Sequence, residues 1–103
     1  IGAIADFDRL IAYCPDYAEG YNQRAFVQFI LQDYEAALVD LDRALNLSPT
    51  HVAAKAGKAL TLMGLDRMAE GQALLREALQ LNPWLPERRM VIPETALDPS
   101  EDL

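Results

Sequence analysis

Pro15, Pro49 and Pro83 stand 34 residues apart, and this spacing constrains the fold more than any other feature of the 103-residue chain. Proline has no amide hydrogen and disfavours helix in the residue before it, so each one marks a place where one helix has ended and the next has not begun. Other positions keep the same step: Ala25 and Ala59, Leu31 and Leu65, Leu41 and Leu75, Ala44-Leu45 and Ala78-Leu79, Leu47 and Leu81. Between residues 18–51 and 52–85, seven of 34 positions are identical, and all are small, leucine or proline. Identity confined to such residues points to repeated packing: the shared positions face other helices and the rest vary freely.

Apolar residues recurring at i, i+3, i+4 and i+7 predict helices over 17–31, 34–47, 51–64 and 67–81. Breaks at Gln32-Asp33 and at 64–67 turn each pair into an antiparallel hairpin. Asp16 and Thr50, or Ser48, are the N-cap candidates. Ala44 and Ala78 are expected at buried helix crossings, and Ala54 on a looser face.

A step of 34 residues is the tetratricopeptide period, and the chain resembles that family at specific positions. The family's A-x-x-x-F step stands here as Ala3 and Phe7, as Ala37 and Leu41, and in looser form as Gly71 and Leu75. Ala25 and Ala59 hold the small eighth position. Tyr21 holds the aromatic fourth position, where the next repeat has Lys55; the eleventh has Gln28 and Leu62 in place of an aromatic.

The resemblance implies an all-α, right-handed α-solenoid of antiparallel hairpins. Residues 1–17 are then a half repeat, 18–51 and 52–85 full repeats, 86–93 a short capping helix with Pro86 in its first turn, and 94–103 a flexible acidic tail. Ala25, Ala37, Leu41, Ala44, Pro49, Ala59, Leu75, Ala78 and Pro83 take structural roles. Residues 17–25 and 81–86 are also similar to short bacterial members of the family. Such members often carry an export signal, which implies the periplasm, with the cytoplasm as the alternative.

In this family the first helix of each repeat lines a concave groove. The matching positions are Glu19, Asn22, Gln23, Phe26, Phe29 and Ile30, then Ala53, Ala56, Gly57, Leu60, Met63 and Gly64. The apolar members suit a partner peptide; the structural alternative is that this chain or a second copy covers them. A family variant clamps a carboxylate with lysine, asparagine and arginine. The clamp positions here hold Asn22, Phe26, Ala56 and Gly57, so its cations are missing.

Arg24 sits where the family usually has leucine, with Asp40 sixteen residues on, in the hairpin's other helix. This reads as a structural ion pair that orients the hairpin. His51 reads as a turn residue, and Cys14 as an idle thiol or a site of intermolecular disulfide formation. In the first segment, Ile4, Phe7, Leu10 and Ile11 are more apolar than one contact stripe requires, which points to self-association, as a homodimer or larger assembly.

Composition narrows function further. Sixteen acidic residues against nine basic ones give a net charge of −7, which argues against nucleic acid as a partner. One cysteine and one histidine, far apart, supply no metal set and no internal disulfide. No apolar run reaches the roughly 18 residues of a membrane span. No nucleophile triad, phosphate loop or metal spacing is present, so the expectation is neither an enzyme nor a cofactor protein. The expected function is a protein-interaction module that holds a partner segment in its groove; the alternative is an assembly element using the incomplete first repeat.

Overall fold

The structure, a computed structural model, describes residues 2–92. Ile1 and residues 93–103, with the acidic tail expected at 94–103, lie outside the described residues. Five α-helices follow one another: α1 Gly2–Tyr13, α2 Ala18–Ile30, α3 Tyr34–Leu47, α4 Val52–Gly64 and α5 Met68–Leu81. The capping helix expected at 86–93 is a 3-10 helix, Pro86–Met90. Each helix packs mainly on its neighbours in the chain, and α2 also touches α4. This is the nearest-neighbour packing of an all-α helical solenoid.

The helix starts differ from those expected. Neither Asp16 nor Thr50 or Ser48 is an N-cap; Ser48 instead ends α3 as its C-cap. The residue before α2 is Tyr17, which makes no side-chain cap bond. The residue before α4 is His51, whose Nδ1 accepts from the Ala54 amide at 3.1 Å. A neutral imidazole nitrogen is a competent acceptor, and His51 occupies the position from which the second and third amides of the helix are within reach. Asp33 caps α3 in the usual way, accepting from the Ala36 amide.

Both hairpin turns use one device, again 34 residues apart. Among the described residues, Gln32 and Asp66 are the two non-glycine residues with positive φ, at 64° and 62°. In the first turn the Asp33 amide donates to the Gln28 carbonyl and the Gln32 amide to the Phe29 carbonyl. In the second, Arg67 donates to Leu62 and Asp66 to Met63. These paired bonds form a Schellman ending, which satisfies carbonyls the helix would leave open. The left-handed residue is usually glycine, so both turns carry some backbone strain.

Small residues set the helix spacing. Ala25, Ala37, Ala44, Ala59 and Ala78 are fully buried, as is Leu75, and Leu41 is nearly so. Ala54 is 0% exposed and clusters with Tyr21, Ala25, Ala37, Leu41 and Ala44, so the looser face expected for it is wrong. It lies in the first turn of α4, where that helix closes on the preceding hairpin. Gly71 marks the tightest crossing. A Cβ there would sit 2.7 Å from the Ala59 carbonyl oxygen and 2.7 Å from Met63 Cγ, so even alanine does not fit without a shift.

The C-terminal segment is tied down by polar bonds. Gln72, fully buried on α5, donates through Nε2 to the Met90 carbonyl at 2.8 Å and accepts through Oε1 from the Ile92 amide at 2.6 Å. Arg76 donates to the Ile92 carbonyl. A buried amide satisfied at both ends favours one arrangement, because any other leaves it unpaired. Leu85 completes the anchoring by packing with Ala56 and Ala78.

Candidate functional site

An apolar recess lies where α2 meets α4, with a volume of about 160 Å³. The α2 side supplies Asn22, Ala25, Phe26 and Phe29, and the α4 side supplies Ala53, Gly57, Leu60 and Thr61. Leu41 of α3 also lines it, and Glu87 of the 3-10 helix forms part of the wall. The helical period explains the register: 22, 26 and 29 fall on one face of α2, and 53, 57 and 60 on one face of α4. Gly57 keeps the recess open, since a Cβ there would press on Leu41 Cδ2 at 3.3 Å.

Asn22, Phe26, Phe29 and Leu60, among the groove candidates, come together here. Phe26 is 61% exposed at the edge. Phe29 is half-buried and lies against the Tyr34 ring, centroids 5.3 Å apart and planes tilted by 60°. Glu19 and Gln23 are not among the lining residues but act beside it. Glu19 Oε1 accepts from Gln23 at 2.7 Å and from Asn22 at 3.2 Å, so Glu19 positions the Asn22 amide. Ile30 is exposed, outside the recess.

Two candidates point elsewhere. Ala56 is buried with Ala78 and Leu85, on the α5 and cap side of α4. Met63 is committed to the α4–α5 crossing: its sulfur accepts from Gln72 Nε2 at 3.4 Å and its side chain meets Gly71. On the helical wheel 56 and 63 lie roughly 70° round from the face that carries 53, 57 and 60, and α5 claims that side. The period alone did not separate these faces. Glu87, Thr61 and Leu41 were missed. Glu87 stands two steps of 34 after Glu19, and that spacing was the available signal.

His51 does more than sit in a turn. Its Nε2 lies 2.7 Å from Glu19 Oε2, joining the start of α2 to the start of α4. Partial burial pushes the Glu19 carboxyl up, but hydrogen bonds from Gln23, His51 and Asn22 outweigh it and hold the group below the usual carboxylate range.

The Arg24–Asp40 pair is bidentate. Arg24 Nε donates to Asp40 Oδ2 and Nη2 to Oδ1, both at 2.7 Å, while Nη1 reaches Asp8 Oδ1 at 2.8 Å. One guanidinium thus ties α1, α2 and α3 together, and the Asp40 and Asp8 carboxylates push its pKa up despite partial burial. One step on, Lys58 pairs with Asp42 at 2.7 Å. Asp8 and Asp42 are equivalent positions, whereas Asp40 is replaced by Leu74.

Leu10 and Ile11 of α1 pack toward Gly20 on α2, so the chain itself uses half of the self-association set. Ile4 and Phe7 are half-buried. Cys14 is exposed. Among the described residues no group of three His, Cys, Asp or Glu is placed to hold a metal ion, and no helix is long and apolar enough to cross a membrane.

Comparison with known proteins agrees with this architecture. A family model for the tetratricopeptide repeat matches residues 28–90, more than half of the chain. A TPR repeat-containing protein of Rhizobium etli is 41% identical over 61 residues, covering 58% of this chain and 30% of that protein. Protein FlbA of Caulobacter vibrioides is 36% identical over 73 residues, covering 68% of this chain and 12% of its own length. Sperm-associated antigen 1 of Mus musculus is 33% identical over 81 residues, covering 79% and 9%. The chain therefore spans less than a third of each of these relatives. The 34-residue step, the paired left-handed turns, the small residues at helix crossings and the family match lead to one conclusion: the chain belongs to the tetratricopeptide repeat family.

Proposed function

We propose that the recess between α2 and α4 is part of a concave groove that holds a segment of a partner protein. Proteins of this family generally mediate protein–protein interaction and are generally non-enzymatic scaffolds. The observation that carries the reading is Phe26, a large aromatic side chain 61% exposed at the edge of an apolar recess. Water around such a side chain is released when a partner covers it, and aromatic residues beside a cleft are common binding anchors. With this reading goes a division into a half repeat at 1–17, repeats at 18–51 and 52–85, and a cap at 86–93. Export to the periplasm belongs to it as well, on the likeness to short bacterial members; recovery of the native protein only in the cytoplasmic fraction contradicts that part.

The test is affinity capture from the source cells with the wild-type chain and with Phe26→Glu and Val39→Glu. Both replaced residues are exposed, so the fold tolerates either change. A partner that is lost with Phe26→Glu and kept with Val39→Glu supports the groove. A partner lost equally with both, or with neither, contradicts it.

Self-association through α1 is a second reading, favoured by one observation: α1 has no buried residue although it carries Ile4, Phe7, Leu10 and Ile11. With Leu10 and Ile11 turned toward α2, Ile4 and Phe7 are what remains for a second copy. Light scattering distinguishes the outcomes. A dimer that Phe7→Glu converts to monomer supports this reading, and a stable monomer of the wild-type chain contradicts it.

A further inference from the structure

We propose that the recess takes one large apolar side chain of the partner together with an adjacent lysine or arginine, whose cation meets the carboxylate of Glu87. The inference rests on the groove reading and adds the chemistry of the segment bound there.

Glu87 Oε2 is buried and has no hydrogen-bond partner, and Glu87 is part of the recess wall. A buried carboxylate oxygen without a donor is unfavourable, and most such groups in folded proteins are satisfied. The residues lining the recess include no Lys or Arg. Arg88, in the same 3-10 helix, donates to the carbonyls of Trp84 and Leu85, and the two lysines of α4 have other partners: Lys55 meets Glu77 at 3.5 Å and Lys58 meets Asp42 at 2.7 Å. Glu19 holds the equivalent position two repeats earlier, and its carboxylate is met by Gln23, Asn22 and His51. Of the two related carboxylates, one is satisfied within the chain and the other, in the recess wall, has a buried oxygen without a donor.

Size and charge then describe the occupant. A cavity of about 150 Å³ accommodates a benzene-sized group, and this recess measures about 160 Å³ between Phe26, Phe29, Leu60 and Leu41. That space suits a Phe, Leu or Met side chain. A neutral segment covering the recess would leave Glu87 Oε2 unpaired and out of water, and an acidic segment would add like charge to a chain whose net charge is −7. A cation beside the apolar residue satisfies the oxygen with a charge-assisted hydrogen bond. The polarity is opposite to that of a groove that grips a carboxylate with lysines, and the absence of cations at Asn22, Phe26, Ala56 and Gly57 is in keeping with that.

The test is selection of a phage-displayed random heptapeptide library on immobilised wild-type protein, with Phe26→Glu protein as the counter-selection. Lys or Arg next to a large apolar residue is expected to be enriched about tenfold, the factor corresponding to one charge-assisted hydrogen bond. Selection on Glu87→Gln should keep the apolar preference and lose the basic one. Independently of any protein variant, replacing the basic residue of a selected peptide by norleucine should weaken its binding to the wild-type chain by a similar factor. Apolar peptides with no basic preference, or with an acidic one, overturn this inference and leave the groove reading standing. Failure to enrich any peptide over the Phe26→Glu protein overturns both.

Discussion

The α2–α3 hairpin and the α4–α5 hairpin share a frame and differ in what fastens it. Both turn through a left-handed residue at the same repeat position, and both bury alanine and leucine at matching crossings. The first hairpin is locked by charge. Arg24 reaches across to a buried Asp40 and back to Asp8, and Tyr21 donates to the Pro15 carbonyl. The second has Lys58 and Leu74 at the positions of Arg24 and Asp40, and is fastened instead by a tight glycine crossing and by the Gln72 amide. Repetition therefore conserves the geometry of contact and not its chemistry. Packing requires small residues at fixed places, whereas the contacts that fasten the result differ in kind from one hairpin to the next.

The largest difference between the hairpins should appear on removing their cations. Arg24→Ala leaves the buried carboxylate of Asp40 without its partner, which costs about 3 kcal/mol or more. Lys58→Ala removes a bridge to Asp42, an exposed residue, and costs about 1 kcal/mol or less. Urea denaturation of the two variants measures both. Equal losses would show that the charge lock is not what separates the two halves.

Crowding the seam between the hairpins comes next. Ala54→Leu places three extra carbons in a site with no exposed surface and should destabilise by about 1–3 kcal/mol, as should Ala44→Leu and Ala78→Leu. A melting temperature for Ala54→Leu equal to that of the wild type would mean that α4 does not close on the first hairpin as described.

A smaller effect of opposite sign belongs to the turns. Gln32→Gly and Asp66→Gly each relieve a left-handed conformation and should stabilise by up to about 1 kcal/mol. The two gains should be alike, because the turns are the shared part of the frame. A gain in only one turn would show that the two endings differ in strain.

The smallest effect is the contribution of Glu19. Its carboxyl lies below its ordinary value in the folded chain, so its stabilisation is present above the ordinary carboxylate pKa of about 4.3 and is lost as pH falls through the lowered folded value. Glu19 is about one-third exposed, so the amount is about 0.5 kcal/mol or less. Glu19→Gln should flatten the acid limb of stability against pH by that amount while leaving stability at neutral pH lower. An unchanged acid limb contradicts the role given to its hydrogen bonds.

The sequence carried the frame well and the site partly. Prolines and small residues recur because steric demands recur, so the helix bounds follow from the period to within about a residue, and the Arg24–Asp40 contact follows from hairpin geometry. Within the groove set, Phe26 and Leu60 could be placed because each lies at the centre of its helix face. Ala56 and Met63 could not, because which side of α4 is covered depends on how α5 rotates against it. His51 was read as a turn residue because its two nitrogens act in opposite directions, one on its own helix and one across to Glu19. Glu87 was missed because it lies in a short 3-10 helix where apolar periodicity has ended, although its distance from Glu19 is a whole number of repeats.

The central claim is that a partner segment lies in the recess between α2 and α4. Photo-crosslinking in the source cells tests it most directly, with p-benzoylphenylalanine placed at position 26 in one variant and at position 39 in another. Both positions are largely exposed, 26 at the recess on α2 and 39 outside it on α3. The account predicts a discrete adduct from position 26, with the cross-link mapped to one segment of the partner, and none from position 39. Adducts of equal yield from both positions, or from position 39 alone, would contradict it.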